Sequence, residues 1–264
     1  MGAGQIEALK LPLPPLEEQK RIVAVLDQAF AALDRARAHA EANLEDVKSL
    51  FGNWTASIFD PAGAADKEKM TIGDVCRIQS GAGFPIKEQG RTEGHYPFYK
   101  VSDMNLAGNE WWLTTANNYI DEAARKRLRA AVLPKASIVF PKVGGAINTN
   151  KKRIIEAEGC VDNNVMGLIP DATRIMPEFL HEWLHSVDIY EFSNKANPPS
   201  ITQGTVAGWP LRVPNYQDQA ETVKSIKAMR KAAGRLRQLY SETLAEIADL
   251  RQSLLQEAFA GRLT

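Results

Sequence analysis

The chain has 264 residues, of which 44% are hydrophobic and 24% charged, and its 32 basic and 32 acidic side chains cancel. That composition is of a globular domain or two, and it excludes both a disordered polyelectrolyte and a protein with a global basic field. No apolar run approaches the ~18 residues that span a bilayer, and the opening "MGAGQIEALK" has no charged-then-apolar signal pattern. Two cysteines without a CxxC pair, Cys76 and Cys160, fit a reducing compartment, so a cytoplasmic location is expected.

Residues 1–15 read as an entry segment, and a long helix is predicted over 16–60. Prolines and the acidic pair Glu17 and Glu18 mark its start, because proline is tolerated in a first turn and carboxylates favour that end. Leu26, Ala29, Leu33, Ala36, Ala40, Leu44, Val47, Leu50, Trp54 and Ile58 then recur at steps of three and four, the seam of a coiled coil. A linker is predicted over 61–69.

Over residues 70–214 the signal changes to short β-like runs bounded by Gly, Pro and Asn. "DVCRIQS", "YPFYKVSDM", "SIVFPK" and "VMGLIP" read as strands, and "NYIDEAARKRL" and "MPEFLHEWLHSV" as helices. An α+β head is expected there, large enough for its own core.

A second long helix is predicted over 215–264, and it repeats the first at an offset of 200 residues. Leu11/Leu211, Pro14/Pro214, Gln19/Gln219, Val23/Val223, Leu44/Leu244, Leu50/Leu250 and Phe59/Phe259 all coincide. Two helices joined through a folded head must run back antiparallel. The fold class expected is therefore α+β, a mixed α/β domain with two long antiparallel coiled-coil helices. Residues 1–69 carry eight basic against eleven acidic side chains and residues 215–264 eight against six, so the helices are oppositely biased. Between Glu221 and Glu242 the second helix holds Lys224, Lys227, Arg230, Lys231, Arg235 and Arg237 without an acid.

Two motifs point elsewhere. His181, Glu182 and His185 form H-E-x-x-H, which on a helix sets two imidazoles on one face beside a carboxylate, the beginning of a zinc-hydrolase site. A catalytic zinc needs a third protein ligand, and the extended form of the motif fails here because Asp188 and Glu191 stand at its later positions. "NPPS" at 197–200 is one residue from the NPP-aromatic signature of amino-group methyltransferases, but Ser200 offers no ring for a flipped base to stack on. No Gly-rich cofactor loop follows a strand. No catalytic residue, metal or cofactor is expected. A coiled-coil protein-interaction module is a further alternative.

The order of "LPLPPLEEQKRIVAVLDQ", "MTIGDVCRIQSGAGFP", "YPFYKVSDM", "LPKASIVFPKVGGAINTNKK" and "NPPSITQGTVAGWPLRVPNYQDQ" resembles the DNA specificity subunit of Type I restriction–modification systems. The resemblance covers nearly the whole chain. It implies a target-recognition domain at 70–214, with residues 1–15 similar to the tail of a missing second one. It further implies double-stranded DNA, a modification (methyltransferase) subunit and a restriction (translocase/nuclease) subunit as partners. A half-size form with one complete recognition domain would pair with a second copy, a homodimer joined through the long helices.

For such a head the DNA-binding candidates are polar side chains suited to base edges and cations suited to phosphates. "KVGGAINTNKKR" supplies Lys142, Asn148, Thr149, Asn150, Lys151, Lys152 and Arg153, with Gly144 and Gly145 permitting close backbone approach. "SNKANPPSITQG" supplies Lys195, Asn197, Ser200, Thr202 and Gln203, and "YKVSD" supplies Lys100 and Ser102.

Overall fold

The computed structural model describes residues 13–60, 62 and 68–263, in two compact units. One comprises the stretches up to Asn53 and from Ala228, the other Trp54–Lys227. The predicted tail at 1–15 and the linker at 61–69 lie largely outside the described residues.

Among the described residues the first unit is two helices. α1 (Leu16–Phe59) and α6 (Tyr216–Phe259) each run 44 residues, and their outer portions pack antiparallel. Arg251 Nη1 meets Asp34 Oδ1 at 2.7 Å while its guanidinium lies 4.6 Å from the Phe30 ring centroid, and Arg230 covers Phe51 at 5.7 Å. The apolar seam is narrow: Ile22 and Ala40 are buried, whereas Leu50 points outward and Phe51 takes its place. At the far end, Leu13, Ile22, Val23, Leu26, Leu255 and Phe259 line an open apolar groove of about 280 Å³.

The second unit is the head with the roots of both helices, so the division falls inside the helices rather than at residues 69 and 215. Packing explains this. Phe59 sits edge-on against Phe179 with ring centroids 5.3 Å apart, and Val223 and Ile226 are buried. The Gln219 side chain donates to the Pro214 and Arg174 carbonyls and accepts from the Met176 N–H. The α6 entrance is thereby fixed to the head by buried hydrogen bonds as well as by apolar contact.

Among the described residues the head holds three small sheets. β1 (Lys69–Thr71) pairs with β10 (Pro210–Arg212) where the chain enters and leaves, and Arg212 bridges to Glu68 at 2.9 Å. A five-stranded sheet has the order β2 (Cys76–Ser80), β9 (Val165–Pro170), β6 (Ile138–Pro141), β7 (Arg153–Ile155), β4 (Trp112–Leu113). A three-stranded sheet has the order β5 (Tyr119–Ile120), β3 (Tyr96–Tyr99), β8 (Cys160–Val161). Between them lie α2 (Ile72–Val75), α3 (Glu122–Leu128), α4 (Pro177–Ser186) and α5 (Gln203–Ala207). β6 and β9 read as unbroken apolar runs because both faces are covered.

One core cluster gathers Tyr99, Met104, Leu113, Leu133, Val139, Ile155, Val161 and Val165, and a second gathers Phe98, Ile120, Ala124, Ala130 and Cys160. Burial pushes the thiols of Cys76 and Cys160 up to about 12, so both behave as small apolar groups. "NYIDEAARKRL" is half strand and half helix: Asp121 stops β5 and caps α3, its carboxylate accepting the Ala124 N–H at 2.8 Å. Among the described residues no helix is long and apolar enough to cross a membrane.

Candidate nucleic-acid interface

The topology brings the candidate loops to one end of the five-stranded sheet. β2 and β6 both run antiparallel to β9, so the exits of β2 and β6 and the entrance to β9 meet there. Residues 80–82, 142–150 and 162–164 accordingly lie together. The segment around 199–201, distant in sequence, joins them through an isolated bridge between Val143 and Ser200. Gly144 N–H donates to the Pro199 carbonyl at 2.8 Å, and Ile201 N–H to the Lys142 carbonyl at 2.9 Å. The two loops that composition singled out thus form one surface. Gly81 makes the crossing possible, since a Cβ there would stand 1.9 Å from the Asp162 carbonyl oxygen.

Several predicted residues are presented to solvent on this end or beside it. Asn148 and Thr149 are exposed at the end of a 3-10 turn, Gly144–Thr149. Half-buried Lys142 donates to Ser80 Oγ at 3.2 Å. Lys151 bonds the Asn105 side chain on a second 3-10 turn, Val101–Asn105, where Ser102 is exposed. Lys100 reaches Gln89 Oε1 at 2.9 Å and lies close enough to Asp162 to oppose the upward push that burial gives that carboxyl. In the other loop Lys195 is exposed but paired with Glu191 at 2.7 Å, and Asn197 and Gln203 are exposed. Thr202 caps α5 through its hydroxyl, which accepts the Thr205 N–H at 3.1 Å. Half-buried Ser200 accepts from Asn194 Nδ2 at 2.9 Å.

Three expected phosphate or base contacts lie elsewhere. Lys152 is only 1% exposed: its ammonium donates to Asn150 Oδ1 at 2.6 Å and to the Val187 carbonyl at 2.9 Å, at the C-terminal end of α4. That end carries carbonyls without helical partners and a negative partial charge, which draws the cation inward. Burial pushes its pKa down to about 8, partly offset by Asp188. Arg153 is buried in β7 and donates to the Lys152 and Met104 carbonyls. Asn150 closes the turn at φ 51°, its Oδ1 also accepting the Ile189 N–H. The run "NKKR" therefore turns from the surface at Lys151 into the interior at Lys152 and Arg153.

Sequence reasoning passed over the tight turn at 162–164. Asn163 and Asn164 are exposed there, and Lys142 N–H donates to the Asn164 carbonyl at 2.8 Å. Asn105 was likewise missed. Amide side chains between two apolar runs, "CVDNNVM", were the available signal. Asp103 caps its own turn, accepting the Lys100 N–H at 2.7 Å and also bonding Asn117.

The H-E-x-x-H helix is real, and its imidazoles meet with Nε2 atoms 3.2 Å apart, Trp111 packed against both. His181 is buried and stands 3.4 Å from the Lys152 carbonyl. Among the described residues no group of three His, Cys, Asp or Glu side chains could hold a metal. The zinc-hydrolase alternative has no support in this geometry.

Comparison with known proteins gives a consistent result. A family model described as the Type I restriction modification DNA specificity domain matches residues 2–44 and 65–240. The specificity subunit of the Type I restriction enzyme StySPI from Salmonella potsdam is 23% identical over 98% of this chain, and that of EcoBI from Escherichia coli 22% over 96%. The chain spans 58% of the length of each. Among solved structures, a chain of a type I R-M system superposes with a TM-score of 0.75 at 20% identity, covering 96% of this chain and 61% of that one. The HsdS subunit from Thermoanaerobacter tengcongensis superposes at 0.60 and 19%, covering 96% and 60%. At these identities the structural likeness establishes the fold.

Proposed function

Because the chain belongs to the Type I restriction modification DNA specificity family, we propose that it is the non-catalytic subunit that reads DNA sequence for a methyltransferase and nuclease carried by its partners. The head reads a half-site of double-stranded DNA. The helices dock the modification subunit, with the restriction subunit joining that complex, and a second copy associates through the helices to supply a second head. The observation that carries the reading is the junction of residues 142–150 with 199–201, which gathers exposed amides and cations from distant parts of the sequence onto one end of a rigid sheet.

Within this surface we assign Lys142, Lys151 and Lys100 to phosphates, and Asn148, Thr149, Asn163, Asn197 and Gln203 to base edges. Ser102, Ser200 and Thr202 lie on the same turns and position them. Lys195 serves phosphates once DNA displaces Glu191. Lys152, Arg153 and Asn150 hold the loop's base in place. The test is selection of bound duplexes from a random library by the chain with its methyltransferase partner. Asn148→Ala is expected to relax preference at one base pair, by about 1–3 kcal/mol of discrimination. Lys151→Ala is expected to weaken binding to all sequences alike. Identical selected sites and affinities for wild type and both variants would remove this end of the sheet as the reading surface.

A further inference from the structure

We infer that α6 carries a second, sequence-independent DNA contact: a stripe of Lys224, Lys227, Lys231 and Arg235 that takes the phosphate backbone of the duplex. The proposal rests on the reading of the chain as a DNA-binding subunit, and extends it to a surface remote in sequence from the reading loops.

The four residues follow steps of three, four and four, which places them on one strip of the helix roughly 80° wide and about 16 Å long. All four are exposed. Among the described residues none of them has an ion pair, whereas four of the five Lys and Arg side chains of α1 do, Lys20, Arg21, Arg37 and Lys48, with Arg35 the exception. Beyond the stretch on α6, Arg251 and Arg262 are paired as well. The carboxylates that bound the stretch, Glu221 and Glu242, accept instead from Gln217 and Gln238. Like charges three and four residues apart repel along a helix, so a run of them destabilises it unless an anion relieves the repulsion.

The strip's neighbours indicate which anion. Ala228 and Ala232 flank it, and a Cβ on Gly234 would meet nothing within 4 Å. Of the exposed apolar side chains of this stretch, Met229 and Leu236 lie roughly 140–160° round the helix from the centre of the strip, and Leu239, roughly 80° from that centre, lies a turn beyond Arg235. Protein interfaces are held by buried aromatic or aliphatic anchors at their centre, and this strip has cations with small residues between them. Such a surface suits a uniform line of phosphates, which needs charge and close approach but no pocket.

The test uses the full chain and a 60-base-pair duplex of random sequence across a salt series, with all four residues changed to glutamine. Glutamine keeps helix propensity, and circular dichroism checks that the helix survives. Four lost phosphate contacts are expected to lower the slope of log affinity against log salt by about 3 to 4. A control carrying Lys142→Gln with Lys151→Gln probes the head separately. If the control lowers the slope and the α6 variant leaves it at the wild-type value, the stripe is overturned and the head remains the DNA surface. An unchanged slope together with lost binding of the system's methyltransferase subunit overturns the stripe in favour of an acidic protein surface. If the wild type binds no duplex even at the lowest salt, both readings fall.

Discussion

Lys152 illustrates how a residue chosen for one chemistry is used for another. Its ammonium lies below the ordinary 10.5, at about 8, because burial disfavours the charged form. The unfolded chain therefore holds that proton more tightly than the folded one. Below pH 8 both states carry it and the folded state bears the whole cost. Between pH 8 and 10.5 the folded state releases it first, so this group's contribution to stability rises with pH. Lys152→Met has no such proton. From pH 7 to pH 10 the wild type is expected to gain about 2 kcal/mol of unfolding free energy relative to the variant. Denaturant titrations at the two pH values measure this, and the raised thiols of Cys76 and Cys160 cancel because both proteins contain them. Parallel changes in the two proteins would mean that Lys152 holds no destabilised charge. Nothing in "NKKR" announces the burial: three consecutive cations look alike until the left-handed turn at Asn150 and the end of α4 decide which of them faces inward.

At the scale of elements the repeat was the most legible feature, and the structure gives it a mechanism. Gln19 donates to the Pro14 carbonyl at 2.7 Å, and Gln219 to the Pro214 carbonyl at 2.9 Å, the same bond at both helix entrances. The surroundings differ, however. Gln219 is buried and makes two further hydrogen bonds to the segment that leads into α4, whereas Gln19 is half-buried. Gln219→Ala is expected to cost about 2–4 kcal/mol and Gln19→Ala about 1 kcal/mol or less, readable as shifts in urea midpoint. Equal shifts would contradict the unequal burial. Long periodic helices and the apolar strands β6 and β9 were readable because a single pattern runs through each. The two-residue strands β4, β5 and β8 were not, since their pairing is set by partners far along the chain. The proposed reading loops were legible as polar composition, but their junction through Val143 and Ser200 depends on a sheet order that no local pattern encodes.

For the whole molecule, the repeat makes the far end of the helical unit informative. Phe59 is 3% exposed and Val223 6%, while their counterparts Phe259 and Val23 are 65% and 54% exposed. A second copy associating there would cover those side chains, in keeping with the proposed dimer. Light scattering across a concentration series is expected to give the mass of two chains, and Phe259→Glu to shift it toward one. A mass of one chain at every concentration would rule the dimer out.

Gly81 has a consequence for how such a protein changes through time. The strand ends are locked by a crossing that admits no side chain, and buried Asp103 and Asn109 brace the turns beside them. Asn148, Asn163 and Gln203 project from loops that hang on this frame. Substitutions at their tips can therefore accumulate, or whole loops be exchanged between lineages, without the sheet having to be re-solved each time. On the proposed reading of these loops, a new target preference lies a few changes away, whereas one methyl group at Gly81 is expected to disturb every preference together.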